Sequence, residues 1–506
     1  MKKAKEPILP FLSASTTPHG AIIGASAPPT PGIVHLGLGN FHRAHCAVYT
    51  AKALAIEAGE WGIDGFANTS QRVVMPMRAQ NYRYSVLELS DDATRTGIVD
   101  VHRGAAIVSD TPEAFIASVA DPTRRILTLT ISELGYCRSS RTGRLDTDIP
   151  AVRSDIADPE NPHSTIGLIA RALTIRSLSG EPMTILSCDN LQSNGRTTRQ
   201  LILQFLDASR ADEDVVNFVM RRVAFPNSMV DRITPATTAT TIAHVENSLG
   251  VRDRCPVPAE EFSMWVLEDK FAAGRPAWHA AGAIMSDEVE AYELVKLRLL
   301  NGSHSLIAYL GALDGRETIA QAWAQPFIRQ AVNECIERDY LPSITLPRGF
   351  DPKEYIESLS ERWANKRLEH RTAQVGSDGS AKLLQRIPVA AEHALASGRV
   401  PHMLALTVAA WICAIAPQDG YDPGPVAAEI REPARGQLTE ATRHEHSPRR
   451  AARAIMRNGF MPPELVAFAE FTHRVEELVE TIVRHGARAA SRDAVDAVET
   501  DPCEEE

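Results

Sequence analysis

The sequence predicts an α/β domain followed by a mainly α-helical domain. In the first half, short apolar runs rich in β-branched residues alternate with helical patterns, which is typical of βαβ units around a parallel sheet. After about residue 285 the pattern is helical almost throughout. The 506 residues suffice for two domains with sizeable cores. We therefore predict an irregular N-terminal arm over 1–31, an α/β domain over 32–286 and a helical domain over 287–506.

The individual elements follow from local periodicity. Short apolar runs bounded by turn residues predict strands at 33–36, 61–67, 125–132 and 183–188. Helical spacing between these runs predicts helices at 41–58, 112–118, 164–177 and 197–208. In the second domain, a long apolar helical pattern runs from about residue 288 to residue 313.

Composition narrows the classes of function. A net charge of −11 argues against nonspecific binding to nucleic acid or to an anionic membrane. No apolar run approaches the length of a membrane span, and no signal-peptide core follows the N-terminus, so we expect a cytoplasmic protein. The seven cysteines are dispersed without C-x-x-C spacing, which indicates reduced thiols rather than a zinc or redox site.

The glycines of Gly37-Leu38-Gly39 stand directly between a predicted strand and a predicted helix. This order is typical of the opening of a dinucleotide-binding unit, because the glycines allow a tight turn and a close approach to a pyrophosphate. His42 occupies the place of the third glycine. Taken alone, the motif is equally consistent with an ordinary strand-to-helix turn.

The choice of cofactor depends on the end of the second strand. NAD sites usually carry an acid there for the ribose hydroxyls, and residues 67–72 contain none. Arg72 could meet a 2′-phosphate, but it is equally consistent with a solvated surface arginine.

Two further polar segments are candidates for a site. Asn190 follows a buried strand, where an amide can donate a hydrogen bond to a developing alkoxide, although Asp189 and Asn190 would also suit a simple turn cap. Adjacent Asp231 and Arg232 would form either an internal ion pair or part of a polar site.

His42 and His45 have a spacing that could hold a metal ion on one side of a helix. No third ligand accompanies them in the sequence. We therefore expect a structural role for both and no bound metal.

Lys296, Asn301 and His304 form a polar set within the long helical pattern at 288–313. On a regular helix Lys296 and His304 lie about 80° apart, and Asn301 lies about 140° from Lys296, so all three can face one cavity. Burial disfavours the charged form of a lysine, which would make Lys296 a proton acceptor. The alternative is a snorkelling lysine beside two ordinary polar residues.

Six ordered motifs identify a family resemblance. They are GLGNFHRAH at 37–45, TISELGYC at 130–137, SCDNLQSNG at 187–195, FPNSMVDRITP at 225–235, WVLEDKFAAGRPAW at 265–278 and KLRLLNGSH at 296–304. The chain resembles the long-chain mannitol dehydrogenase family of polyol-specific dehydrogenases, which includes mannitol 2-dehydrogenase and fructuronate (mannonate) reductase. The resemblance implies a Rossmann-type N-terminal domain, a mostly helical C-terminal domain, and use of NAD or NADP, with NAD favoured, without a catalytic metal.

The resemblance also implies roles for residues of this chain. Lys296 would be the general acid/base, Asn190 and Asn301 would hold the substrate oxygen, and His304 would orient the substrate. Further substrate contacts would come from Asp231 and Lys382, with the acids Glu133 and Glu293 near the site. The residues implied on the cofactor side are Gly37, Gly39, Asn40, Phe41, Arg72 and Glu133.

The chain departs from the family pattern in two ways. The missing acid at residues 67–72 leaves the choice of cofactor open, and the other departure concerns the substrate. Gln374 stands where mannitol 2-dehydrogenases place an arginine, and the surrounding segment resembles the fructuronate reductase branch. Leu134, however, replaces the lysine usual in that branch. A carboxylate substrate would require an additional cation, for which Arg371 and Arg386 are candidates, although both would also suit the surface.

We therefore expect an oxidoreductase that interconverts a linear, mannitol-like polyol and the corresponding ketose. The alternatives are a fructuronate reductase acting on a sugar acid and a catalytically silent sensor of nucleotide or sugar. Joint retention of Lys296, Asn190, Asn301 and His304 argues against the sensor. The expected partners are small molecules, with no nucleic acid and no membrane, and the family resemblance indicates a monomer or weak oligomer.

Overall fold

The computed structural model describes residues 9–500, apart from 19–20, 26–28, 92, 140 and 417. The chain divides into two compact units, Met1–Glu290 and Ala291–Glu506. Among the residues so described, no helix combines the length and the apolar character required to cross a membrane.

Strands and helices alternate in the first unit. Its strands are β1 (Ile22–Ile23), β2 (Pro31–Leu36), β3 (Gly62–Ala67), β4 (Tyr84–Leu89), β5 (Thr94–Val99), β6 (His102–Ile107), β7 (Ile126–Leu129), β8 (Met183–Ser187), β9 (Val223–Ala224), β10 (Ser228–Asp231), β11 (Val257–Glu260), β12 (Met264–Leu267) and β13 (Ile284–Met285). Its helices are α1 (Asn40–Ala44), α2 (Cys46–Ile56), α3 (Gln71–Ala79), α4 (Pro112–Ala120), α5 (Ser132–Gly135), α6 (Pro150–Ala157), α7 (Thr165–Ser177), α8 (Asn194–Ala208), α9 (Glu213–Arg222) and α10 (Ala239–Leu249).

The main sheet is parallel and has the strand order β6-β3-β2-β7-β8-β9. Successive residues of β2 enter different cores, since Ile33 belongs to one buried cluster and Val34 to the other. Both faces of the sheet are therefore covered, as parallel sheets require. The predicted Rossmann-type domain is confirmed, and the four predicted strands are β2, β3, β7 and β8.

Local pattern did not reveal two smaller sheets, with strand orders β1-β5-β4-β11 and β10-β12-β13. In β5 the first four residues are exposed or half-buried and only the last two are buried, so the strand shows no alternation. Its existence depends on antiparallel pairing with β4, which tertiary structure supplies.

The N-terminal segment packs on the first unit where it is described. Leu12 is fully buried, Phe11 forms a bridge with Arg252, and β1 pairs in parallel with Ile98 and Val99. Residues 1–8, 19–20 and 26–28 of the predicted arm lie outside the described residues.

The second unit is mainly helical, as predicted. From Val289 onward the α-helices are α11 (Val289–Val295), α12 (Ser303–Leu313), α13 (Ile319–Trp323), α14 (Pro326–Glu334), α15 (Pro352–Ala364), α16 (Thr372–Gly376), α17 (Gly379–Arg386), α18 (Pro388–Ala396), α19 (His402–Ile415), α20 (Pro425–Ala428), α21 (Arg435–Thr442), α22 (Pro448–Ile455), α23 (Pro463–Val466), α24 (Ala469–His485) and α25 (Ala487–Thr500). Every residue of α19 is buried, and this helix packs against α12 and α24 at the centre of the unit.

Two predicted helices are interrupted. The helix expected at 41–58 breaks at His45, whose backbone is not helical, into α1 and α2. The helix expected at 288–313 contains a π-helix, Lys296–Gly302, between α11 and α12. A second π-helix, Cys335–Tyr340, follows α14 and leads into a 3₁₀ turn, Leu341–Ser343. Neither π-helix is visible in apolar spacing, because only the hydrogen-bond register changes.

Candidate active site

Gly37 forms the turn between β2 and α1. Its φ is +104°, and a Cβ at this position would lie 2.0 Å from the carbonyl oxygen of Thr130. Its amide donates to the carbonyl of Phe66 at 2.8 Å, and its own carbonyl accepts from Thr130 Oγ1 at 2.8 Å. The turn is therefore fixed between the ends of β3 and β7, and only glycine fits it.

Gly39 differs, because its surroundings leave space. The nearest atom to a Cβ built there is the carbonyl oxygen of Gly37, at 3.6 Å. Open space beside a backbone amide is what the approach of a pyrophosphate requires. The neighbouring side chains are already oriented: Asn40 Oδ1 accepts from Arg43 at 2.7 Å, and the Phe41 ring stacks on His45. This turn fits a dinucleotide.

His42, at the position of the third glycine, packs its ring against His35 of β2. Its ring stacks on that of His35, with centroids 3.3 Å apart, and its Nε2 lies 3.0 Å from Nε2 of His102. Burial lowers the pKa of all three imidazoles, that of His35 to about 3. His45 Nε2 meets the carbonyl of Met264 at 3.0 Å. Among the described residues, no three side chains of metal-ligating type form a group that could hold a metal ion.

Asp189 organises the carboxyl edge beyond β7 and β8. Its carboxylate accepts hydrogen bonds from the amides of Ile131 and Ser132, at 2.9 and 3.0 Å, and from the Tyr136 hydroxyl at 2.8 Å. Burial nevertheless raises its pKa above the usual value. Asp189 therefore caps the turn, as one of the two interpretations of this segment predicted. The adjacent Asn190 is exposed at the edge of the sheet.

Glu133 and Arg72 are both exposed, on α5 and α3 respectively. Arg72 therefore remains consistent with either interpretation offered for it.

Asp231 is the last residue of β10, and Arg232 follows the strand directly. Both are less than 7% exposed. Arg232 forms an ion pair with Glu88 at 2.8 Å and donates to the carbonyl of Glu260 at 2.9 Å. These contacts position the backbone that carries the buried Asp231 carboxylate.

In the second unit, Lys296 begins the π-helix and Asn301 lies near its end. Hydrogen bonds from i to i+5 widen the turn. The angles between Lys296, Asn301 and His304 that were calculated for a regular helix therefore do not apply. Residues five positions apart approach one side of such a helix, which favours a common orientation of Lys296 and Asn301. Both residues are partly buried. Lys296 interacts with another group, and the backbone carbonyl of Asn301 accepts a hydrogen bond from Arg386 at 2.9 Å. π-Turns within α-helices frequently occur at functional sites.

His304 follows in the first turn of α12 and is 7% exposed. Its Nε2 has no hydrogen-bond partner among the described residues, which makes it a buried polar atom available to a ligand. Its ring lies 5.7 Å from that of His370 and 6.0 Å from that of Trp363, measured between centroids. The pKa of His304 is well below its ordinary value, because of burial first and then the nearby His370, Arg362, Arg386 and Lys382. The imidazole is therefore neutral.

The cations proposed from sequence occupy different settings. Lys382, on α17, is partly buried and donates to the carbonyl of Ser377 at 2.6 Å. Arg371 forms an ion pair with Glu429 at 2.7 Å, and both side chains are more than half exposed. Gln374 is exposed on α16.

Sequence reasoning missed two groups beside His304. Arg362 is buried on α15, and His370, in the turn before α16, has its pKa lowered to about 4 by burial and then by Arg362 and Lys382. No periodicity marks either residue, and the family resemblance implied no role for them, although His370 belongs to the segment around Gln374. They reach His304 only through the packing of separate helices.

Comparisons with known proteins identify the family of this chain. The profile of the mannitol dehydrogenase Rossmann domain matches residues 31–280, and that of the mannitol dehydrogenase C-terminal domain matches residues 288–483. The chain belongs to the mannitol dehydrogenase family. It is an NAD(P)-using oxidoreductase that acts on CH–OH groups, and the predicted family resemblance is confirmed.

Individual relatives cover nearly the whole chain. The chain is 36% identical to "Uncharacterized oxidoreductase YeiQ" of Escherichia coli (strain K12), covering 90% of this chain and 93% of the relative. It is 34% identical to the D-mannonate oxidoreductase of Escherichia coli (strain K12), covering 90% and 94%. A solved structure of Pseudomonas fluorescens mannitol 2-dehydrogenase, in ternary complex with NAD and D-mannitol, is similar with a TM-score of 0.83 and 29% identity, covering 97% and 100%.

Proposed function

We propose that this protein interconverts a secondary alcohol of a linear polyol and the corresponding ketose, with Lys296 as general acid/base. The observation that carries the proposal is the run from Lys296 to His304, which joins an amine, an amide and a neutral buried imidazole with an available Nε2. These are the groups required to move a proton and to orient a hydroxyl.

The roles follow from the chemistry of each group. The turn from Gly37 to Phe41 would hold the pyrophosphate of NAD(P), which when bound accepts the hydride from the carbinol carbon. Lys296, in its amine form, takes the hydroxyl proton during oxidation and returns a proton to the oxygen during reduction.

The other polar residues act on the substrate oxygens. Asn301 and Asn190 donate hydrogen bonds where negative charge develops on the oxygen, and His304 orients the substrate. Asp231 and Lys382 bind further substrate oxygens. Glu133 and Glu293 are proposed to relay the proton between Lys296 and solvent.

A sugar acid is the second candidate substrate. Three cations, Arg362, Lys382 and Arg386, each act electrostatically on His304. Such a concentration of positive charge would complement a substrate carboxylate. The 34% identity to a D-mannonate oxidoreductase supports the same candidate.

A reduction assay separates these candidates. Fructose and then fructuronate would each be supplied with NADH and with NADPH, while the absorbance of the reduced nicotinamide is followed. Turnover of fructose supports the polyol dehydrogenase, whereas turnover of fructuronate alone establishes the sugar-acid reductase. Silence with both ketoses, despite measurable cofactor binding, would reject both substrates.

The same assay measures the preference for NAD that we propose. If Arg72 meets a 2′-phosphate, Arg72→Ala raises KM for NADPH and leaves KM for NADH unchanged. Cytoplasmic location and a monomeric or weakly oligomeric state stay predictions.

A further inference from the structure

Arg386, the last residue of α17, contacts the backbone of the π-helix. Its Nη1 donates to the carbonyl oxygen of Asn301 at 2.9 Å and to Ser305 Oγ at 2.7 Å. Ser305 Oγ in turn donates to the same carbonyl at 3.3 Å. The carbonyl of Asn301 therefore accepts hydrogen bonds from two side chains.

This carbonyl lies where the helix changes its register. In the π-helix the hydrogen bonds run from i to i+5, and in α12 they run from i to i+4. At a junction of this kind the hydrogen-bond register of the backbone changes. Arg386 and Ser305 add side-chain donors to the Asn301 carbonyl at this point.

Two more contacts hold the π-helix from another side. Arg298 donates to the carbonyl oxygen of Ser343 and, at 2.7 Å, to Ser343 Oγ. Gly302 packs so closely on Tyr340 that a Cβ would lie 2.3 Å from the phenolic oxygen. The wide turn is therefore supported by residues far away in sequence.

We infer that Arg386 is a positioning residue, whose hydrogen bonds hold the π-turn in the register that directs Asn301 and Lys296 to the substrate. The inference rests on the proposed function of Lys296 and Asn301. A positioning role for Arg386 differs from that of a carboxylate-binding cation, because Nη1 of Arg386 donates to the Asn301 carbonyl and to Ser305 Oγ. Loss of the contact would allow the turn to relax toward a regular helix, in which Lys296 and Asn301 diverge.

The test is Arg386→Met, with Gln385→Met as the matched control on an exposed position of the same helix. We expect kcat to fall about 10- to 100-fold, since small displacements of reacting groups have effects of this size. KM for the ketose and the dissociation constant of NADH should change less than about threefold. The primary deuterium isotope effect on kcat should increase, because hydride transfer becomes slower relative to product release. Gln385→Met should retain wild-type values.

Ser305→Ala provides a second variant that removes only one hydroxyl. We expect a smaller decrease in kcat, and a double variant no slower than Arg386→Met, because both residues act on one carbonyl. Unchanged kcat in both variants would overturn the inference. An increase in KM at constant kcat would also overturn it, and would assign Arg386 to substrate binding. If Lys296→Ala and Asn301→Ala retained full activity, the proposed function itself would fail, whatever Arg386 does.

Discussion

The turn at Gly37–Gly39 in the first unit, which we propose holds the cofactor, and the π-helix of the second unit both depart from regular backbone, but for different reasons. At Gly37 the departure is local: φ is +104° and no side chain fits beside the Thr130 carbonyl. At Lys296–Gly302 no residue type imposes the wide turn, which distant contacts with Arg386, Ser343 and Tyr340 accompany. A glycine therefore marks the first site in the sequence, whereas nothing local marks the second.

The contrast extends to the histidines. In the first unit His35, His42 and His102 form a buried cluster, in which the His42 ring stacks on His35 and its Nε2 lies 3.0 Å from Nε2 of His102. In the second unit His304 keeps Nε2 available for a ligand. A buried neutral imidazole thus serves packing in one unit and, as we propose, substrate orientation in the other.

The largest effect is expected from Lys296→Ala. Removal of the general acid/base should reduce kcat by roughly 10³-fold or more, within the upper range for proton-transfer catalysis. NADH binding, measured by fluorescence titration, should stay within about twofold of the wild type. Substantial turnover at neutral pH would remove Lys296 from its proposed role.

Paired glycine variants probe the cofactor turn. Gly37→Ala should prevent correct folding or abolish cofactor binding, because the Cβ would overlap the Thr130 carbonyl. Gly39→Ala should fold normally, since space surrounds it, yet weaken NADH binding by about tenfold or more through contact with the pyrophosphate. Thermal unfolding and fluorescence titration distinguish the two effects. Equal behaviour of both variants would contradict this assignment.

Asn301→Ala tests the π-helix site without removing the proton acceptor. We expect kcat to decrease by roughly 10²-fold, as for the loss of one oxyanion donor. Steady-state kinetics in both directions provide the measurement. An effect confined to KM would show that Asn301 binds the ground state and the transition state equally.

The loss of thermal stability at acid pH can be compared between the two units. The pKa of His35 is lowered to about 3 and that of His370 to about 4, so below pH 6.5 the unfolded chain binds protons that the folded units do not. The contribution of these neutral histidines to the free energy of unfolding is therefore fully present above pH 6.5. It is lost progressively as the pH falls toward 3–4. The thermal midpoint should drop by at least about 5 °C between pH 7 and pH 5.

The first unit, with three such histidines, should lose stability more steeply than the second. Calorimetry across this range resolves separate transitions if the units unfold independently. A constant midpoint would contradict the neutral assignment of the buried imidazoles.

The smallest expected effect is that of chelation. Incubation with EDTA should leave kcat unchanged, because His42 and His45 each use Nε2 in a contact within the first unit. Inactivation that added zinc reverses would show that a metal ion is required.

Much of the first unit was predictable because its signals are local. Apolar runs predicted the central strands, and the glycines of residues 37–39 predicted the turn after β2. The strands of the smaller sheets were not predictable, since β5 has no alternating pattern and depends on its partner β4. The contact between His42 and His102 was equally hidden, because the two residues lie 60 positions apart in the sequence.

By itself, the sequence determined the fold class, the family, and the identity of Lys296, Asn301 and His304 as candidate residues, because motifs and periodicity record residue type and spacing. Only the tertiary structure decided how those residues are oriented. Hydrogen-bond register, the neutral state of His304 and the contact of Arg386 with the Asn301 carbonyl depend on helices distant in sequence. Apolar spacing carries no information about a helical turn whose hydrogen bonds run from i to i+5 and which contacts residues distant in sequence.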